Sequence, residues 1–138
     1  MKKRFLIDSD NWMYQGIPTK IIMGYLVQDM NKKIIIKTSS NGCSLLINSY
    51  EYSIPKKDAH DMLKICENNL IKKIQYKYKF EGRTWYINIY KDENEGLIVG
   101  EVEYDDNFFK KPIWCLDEIT DKSYYTDEQL SVRPFTEW

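Results

Sequence analysis

Histidine occurs once, and arginine and cysteine three times each, in 138 residues. The single histidine, His60, excludes a histidine-based catalytic triad elsewhere in the chain. Cys43, Cys66 and Cys115 are far apart, odd in number and without a histidine neighbour. They form neither a metal-binding spacing nor a disulfide framework, and read as packing residues of a protein kept in a reducing cytosol. There is no GxGxxG segment and no Gly-x-x-x-x-Gly-Lys segment, so the common phosphate-cradling loops are missing. Apolar runs last only a few residues, so no membrane-spanning helix is expected. Met1-Lys2-Lys3-Arg4 has the charge of a leader peptide's start. Asp8 and Asp10 follow where its apolar core would lie, so the expectation is a cytoplasmic protein with no cleaved leader. Internal repeats and low-complexity stretches are absent.

What is present is charge, unevenly placed. The net charge is −1, which argues against a generally basic binder of double-stranded nucleic acid. Residues 1–80 carry 14 Lys/Arg against 7 Asp/Glu, whereas residues 81–138 carry 6 against 14. The two parts should attract each other within one fold. That pattern suits either a solvated surface or a site with cations on one wall and carboxylates on the other. The length fits one domain, 1–138, with a substantial core.

Strands are expected at 2–7, 19–27, 33–38 and 43–53, with Asn41-Gly42 as a hairpin turn. Pro55 sits where a helix would start, and Ala59, Met62, Leu63 and Cys66 recur at helical spacing, which predicts an amphipathic helix over 56–68. Over 71–80, Lys73, Gln75, Lys77 and Lys79 alternate with Ile74, Tyr76, Tyr78 and Phe80. After the turn at Glu81-Gly82, Trp85, Ile87 and Ile89 alternate with Thr84, Tyr86, Asn88 and Tyr90. Residues 97–104 continue as a strand, and helical turns are expected near 116–119 and 127–131. The sum is an α+β protein, an antiparallel meander of about seven or eight strands with one main helix.

Two features bear on chemistry. Glu101 and Glu103 share a strand face, roughly 7 Å apart at the backbone. Such a pair is costly unless cations or a metal sit between the side chains, although exposed Glu-x-Glu is common. The row Lys73, Gln75, Lys77, Lys79 is basic, and Lys2, Arg4 and Lys37 lie on other strands. Each suits either solvent or the oxygens of a phosphate. His60 lies off the apolar stripe of its helix and reads as a surface residue.

The order of these segments resembles the CYTH family, the triphosphate tunnel metalloenzymes. The resemblance runs through Lys3-Arg4-Phe5-Leu6-Ile7, Gly24-Tyr25-Leu26, Glu51-Tyr52-Ser53-Ile54-Pro55 with Asp58-Ala59, and Lys73 to Tyr76. It continues through Thr84-Trp85, Asn94-Glu95-Gly96-Leu97, Glu101-Val102-Glu103, Pro112-Ile113-Trp114, Glu118-Ile119-Thr120 and Tyr124-Tyr125. It implies an antiparallel β-tunnel in which Arg and Lys hold a triphosphate and Glu residues hold Mg²⁺ or Mn²⁺. Members hydrolyse inorganic or thiamine triphosphate, cap RNA ends or cyclise ATP.

The chain departs from that pattern at charged positions. The family's opening Glu-x-Glu-x-Lys corresponds to Met1-Lys2-Lys3-Arg4, so Lys2 replaces one Glu and the other has no counterpart. Ile35 replaces one cation of a Val-Arg-Val-Arg strand, and Lys37 keeps the second. Gln75 replaces an Arg, Tyr86 and Asn88 replace a carboxylate pair, and Asn48 stands where a Lys would sit. The expectation is therefore a phosphate site of Lys2, Arg4, Lys37 and Lys73, with Gln75, Tyr86 and Asn88 shaping the pocket and Glu101 and Glu103 as remaining metal ligands. Catalytic residues are not assigned. A phosphorylated small molecule or nucleotide would bind, with hydrolysis weak or lost. The alternatives are a divergent Mg²⁺-dependent inorganic triphosphatase using Glu101 and Glu103, and a fold relic acting as an interaction protein.

Overall fold

Alternation of polar and apolar side chains over 73–80, and again over 84–90, folds into the long hairpin at the centre of the molecule. The computed structural model describes residues 2–12, 15–29, 31–66, 69–103 and 110–138. In chain order the elements are β1 (Lys2–Ile7), β2 (Ile17–Gln28), β3 (Lys33–Ser39), β4 (Gly42–Ile47), β5 (Tyr50–Ser53) and α1 (Lys56–Ile65). There follow β6 (Leu70–Phe80), β7 (Arg83–Tyr90), β8 (Ile98–Glu103), β9 (Cys115–Glu118) and the short α2 (Asp127–Leu130). The strands form one antiparallel sheet in the order β5-β4-β3-β2-β6-β7-β8-β1-β9. Among the described residues no ladder joins β5 to β9, so backbone hydrogen bonds do not close the sheet into a ring.

Three expectations need correction. The strands number nine rather than seven or eight, because 43–53 splits into β4 and β5. Asn48 makes the break in the left-handed region at φ 55°, which asparagine tolerates better than most residues. Its Oδ1 also accepts the Lys33 amide at 2.9 Å. The stretch expected to turn helically near 116–119 is instead β9, drawn into the sheet by the free edge of β1. The main helix ends at Ile65 with Cys66 as its cap, and Asn68, the expected stop, lies outside the described residues. The turn at Glu81-Gly82 forms as read, with φ 53° and 74°, a pair of left-handed residues that matches strand twist.

Side-chain alternation gives the sheet two unlike faces. On the convex face, Phe5, Ile7, Trp85, Ile87 and Val102 pack with Trp12 and Trp114. Farther along that face, Ile36 packs with Ala59 and Cys66 beneath α1. On the other face Tyr25, Ile71, Tyr90 and Val99 pack with Ile119 and Leu130 of the C-terminal segment, and Leu6 from β1 and Ile35 from β3 join them. Strands that far apart in the ladder meet only because the sheet curls, so this face is concave and the C-terminal segment plugs one end of it.

Gly24 has its own reason within this packing. A Cβ there would lie 2.8 Å from the Cys66 Cβ and 2.9 Å from the Leu63 Cδ2. The leucine tip can turn away, but the Cβ beside the helix backbone cannot. Gly24→Val is expected to cost about 1–3 kcal/mol by overpacking, read as a lower urea midpoint at unchanged slope.

Candidate functional site

Register places the polar residues of the concave face in cross-strand rows. Arg4 pairs with Glu101, Glu101 with Tyr86, Tyr86 with Lys77, and Lys77 with Ile17. One step deeper, Leu6, Val99, Asn88, Gln75 and Thr19 align. One step deeper again, Tyr90, Lys73 and Ile21 align. A hollow of about 310 Å³ opens over these rows, lined by Ile17, Thr19, Ile21, Lys37, Ser39, Asn41, Gln75, Lys77 and Tyr86. It shares Lys37, Ser39 and Asn41 with a second hollow of about 330 Å³ that reaches Ser44, Glu51 and Ser53. Together they make a polar trough with an aliphatic patch on β2.

Of the expected phosphate-binding residues, Lys37 lines this trough, and no ion pair among the described residues engages Lys37 or Lys77. Lys2 and Arg4 lie on the opposite wall, where both contact Glu101. Lys2 Nζ is 3.4 Å from one carboxylate oxygen and Arg4 Nε is 3.4 Å from the other. Arg4 also donates through Nη2 to the Tyr125 carbonyl at 2.9 Å, which ties β1 to the C-terminal plug. Lys73 is 7% exposed. It sits beneath the hollow's floor, 2.7 Å from Asp127 Oδ2 and 5.6 Å from the centre of the Tyr90 ring.

The pocket residues come together as well. Gln75 donates through Nε2 to Asn88 Oδ1 at 2.9 Å, and the buried Asn88 donates to the Val99 carbonyl at 3.4 Å. Two neutral amides thus replace charge at mid-depth and satisfy each other. Tyr86 stands exposed at the rim of the trough.

Asp127, Tyr90 and Lys77 are residues that the candidate set left out. Lys77 was legible from its place in the basic row. Asp127 carried one local signal: Thr126 caps α2 by accepting the Gln129 amide, the Thr-x-x-Gln pattern of a helix start. Nothing in that pattern points to Lys73, 54 positions earlier. Tyr90 donates its hydroxyl to Asp127 in a short hydrogen bond. Burial pushes the Tyr90 hydroxyl pKa well up, and the Asp127 charge adds to it. For Asp127, burial acts to raise the pKa. The Lys73 ammonium, its hydrogen bond, the Tyr90 hydroxyl and the charge of Arg4 outweigh burial and hold it below the ordinary carboxylate value.

A pH dependence follows. Because the folded value is depressed, the stability supplied by Asp127 is present above the unfolded pKa of about 4 and lost as pH falls through the folded value. Urea unfolding measured from about pH 5 down to pH 2 is expected to show a steeper loss for wild type than for Asp127→Asn.

A divalent ion of the Mg²⁺ kind needs about six oxygen ligands in near-octahedral array. Both Glu101 oxygens already face cations, and Glu103 is exposed where β8 ends beside Lys2. No group of three or more His, Cys, Asp or Glu side chains among the described residues is arranged to surround an ion. The described residues do not make a Mg²⁺ or Mn²⁺ site by themselves. No helix of the described residues is long and apolar enough to cross a membrane.

No family model matches the chain. An inorganic triphosphatase of Acetivibrio thermocellus is 32% identical over 151 residues, covering 98% of this chain and 94% of that protein. The crystal structure of the inorganic triphosphatase NE1496 matches with a TM-score of 0.85 at 18% identity, covering 96% of this chain and 93% of that one. A conserved hypothetical protein from Pyrococcus furiosus matches over 75% of this chain and 78% of its own, with a TM-score of 0.50 at 18% identity. The two structures speak to fold, and the first supports the nine-stranded antiparallel architecture. Identity of 32% to the Acetivibrio protein over nearly the whole of both chains means that this chain belongs to the CYTH, or triphosphate tunnel, family.

Proposed function

We propose that the chain binds inorganic triphosphate, or the phosphate chain of a phosphorylated small molecule such as a nucleotide, along the polar trough of its concave face, with hydrolysis weak or lost. The observation that carries this reading is the pairing of opposite walls. Among the described residues Lys37 and Lys77 are cations without an ion-pair partner on one side, whereas Lys2 and Arg4 cover both oxygens of Glu101 on the other. Free ammonium groups in a partly desolvated trough make strong charge-assisted hydrogen bonds to phosphate oxygens. A phosphate arriving near Lys2 and Arg4 competes with Glu101 for them, so anion binding needs no metal there. Catalysis of phosphoryl transfer rests on positioning and on cations that neutralise developing charge. The described carboxylates are poorly placed to recruit such an ion.

The kinship with a protein named an inorganic triphosphatase favours a second reading, in which the chain is a divergent Mg²⁺-dependent triphosphatase that depends on Glu101 and Glu103. One experiment separates the two. Phosphate release from tripolyphosphate, ATP and thiamine triphosphate is measured with Mg²⁺, with Mn²⁺ and with chelator, alongside calorimetric binding. Binding in chelator with negligible turnover is the expected result. Rapid turnover that requires metal and disappears in both Glu101→Gln and Glu103→Gln would establish the triphosphatase instead. Absence of both binding and turnover would leave the fold as an interaction module.

A further inference from the structure

We propose that Asp127 is an internal stand-in for a ligand phosphate: its carboxylate fills the innermost anion position of the trough and limits how far a phosphate chain can enter. This rests on the phosphate-binding reading above and assigns a specificity role within the same site.

The partners of Asp127 are those a phosphate oxygen would choose. One carboxylate oxygen lies 2.7 Å from the Lys73 ammonium, and the other accepts the Tyr90 hydroxyl. The Arg4 charge acts on the same carboxylate from β1. All three partners belong to the concave face of the sheet, whereas Asp127 comes from the C-terminal segment that plugs it. Lys73 continues the row of Lys77 and Gln75 that lines the hollow, and it pairs in register with Ile21 at the hollow's floor. The row of side chains that lines the trough thus continues in register to Lys73, whose ammonium Asp127 already engages. The carboxylate's side chain is 19% exposed.

A purely structural reading of the pair is weaker on physical grounds. A buried ion pair often adds less stability than an apolar replacement of equal volume, because desolvating two charges is expensive. Apolar packing already holds the plug, through Leu130, Ile119 and Phe135. What the pair supplies beyond packing is neutralisation of Lys73, which would otherwise draw in a solute anion.

Asp127→Ala removes both the charge and the volume, whereas Asp127→Asn removes the charge and keeps the volume. Thermal unfolding is followed with rising inorganic phosphate and with tripolyphosphate, and tripolyphosphate affinity is measured in chelator. For Asp127→Ala, tripolyphosphate is expected to bind at least about tenfold tighter than to wild type, as one added charge-assisted contact would give. Inorganic phosphate at about 10 mM should raise its melting temperature by several degrees more than that of wild type. Asp127→Asn should gain much less, and Lys73→Met/Asp127→Ala should lose both gains. If Asp127→Ala is unfolded without anion, refolding on addition of phosphate supports the proposal, and failure to refold at every phosphate concentration overturns it. An Asp127→Ala protein that is folded but no more responsive to phosphate than wild type also overturns it. Wild-type binding of tripolyphosphate with an unresponsive Asp127→Ala removes this inference alone. A responsive Asp127→Ala with no wild-type binding removes the trough reading and leaves the inner position standing.

Discussion

Replacing Lys37 and Lys77 together by glutamate is expected to weaken tripolyphosphate binding by at least about a hundredfold. Each lysine supplies a hydrogen bond to a charged group, worth about 1.5–3 kcal/mol, so loss of two amounts to about 3–6 kcal/mol before repulsion is added. Lys37 is half-buried and Lys77 exposed, and neither is ion-paired among the described residues, so the fold loses no internal partner when they change. Surface changes of that kind move stability by about 0.5 kcal/mol or less. Titration calorimetry at fixed ionic strength measures the affinity, and urea unfolding checks that the protein remains intact. An affinity within about threefold of wild type would place the anion elsewhere on the molecule.

Trp114→Ala should be the most damaging single core change. Trp114 is 6% exposed and meets Trp85, Trp12 and Phe80 edge-to-face with ring centres 4.9, 5.2 and 5.8 Å apart. Truncating a buried tryptophan costs about 3–5 kcal/mol through lost transfer energy and the cavity left behind. Geometry-specific aromatic pairing adds roughly 0.5–1.5 kcal/mol per pair. The expected fall in melting temperature is on the order of 10–20 °C. Trp114 also carries a backbone contact, its carbonyl accepting the Asp8 amide at 2.9 Å, which alanine preserves. The comparison therefore isolates the side chain. A loss under about 1 kcal/mol would mean that the aromatic cluster repacks freely.

The central hairpin was readable because its period is two and its faces differ in chemistry. Lys73, Gln75, Lys77 and Lys79 do share a face with Tyr86, Asn88 and Tyr90, as the alternation requires. The attraction between basic front and acidic back also takes the expected form. Lys2–Glu101, Lys3–Glu118, Lys33–Glu128, Lys72–Asp92 and Lys73–Asp127 all join the two parts. Local pattern could not supply partners. Lys73 looks as available as Lys77 on the strand, and only tertiary placement of Asp127 distinguishes them. In the same way, Cys115 to Glu118 has too little periodicity to choose between turn and strand, and the free edge of β1 decides it. Lys2 and Arg4 were expected to face phosphate, and Glu101 a metal. The register that sets Arg4 opposite Glu101 is a property of the β1–β8 ladder, invisible until the strands are paired.

The position of β1 bears on how the protein is made. Its two neighbours in the sheet, β8 and β9, lie about a hundred positions downstream. During synthesis β1 must wait, with Phe5 and Ile7 uncovered, until β8 and β9 have left the ribosome. Closing so long a loop carries a large entropy cost and slows folding. The early hairpins from β2 to β5 can form in the meantime, so nascent chains stalled before residue 98 should be natural clients for chaperones that hold exposed apolar strands.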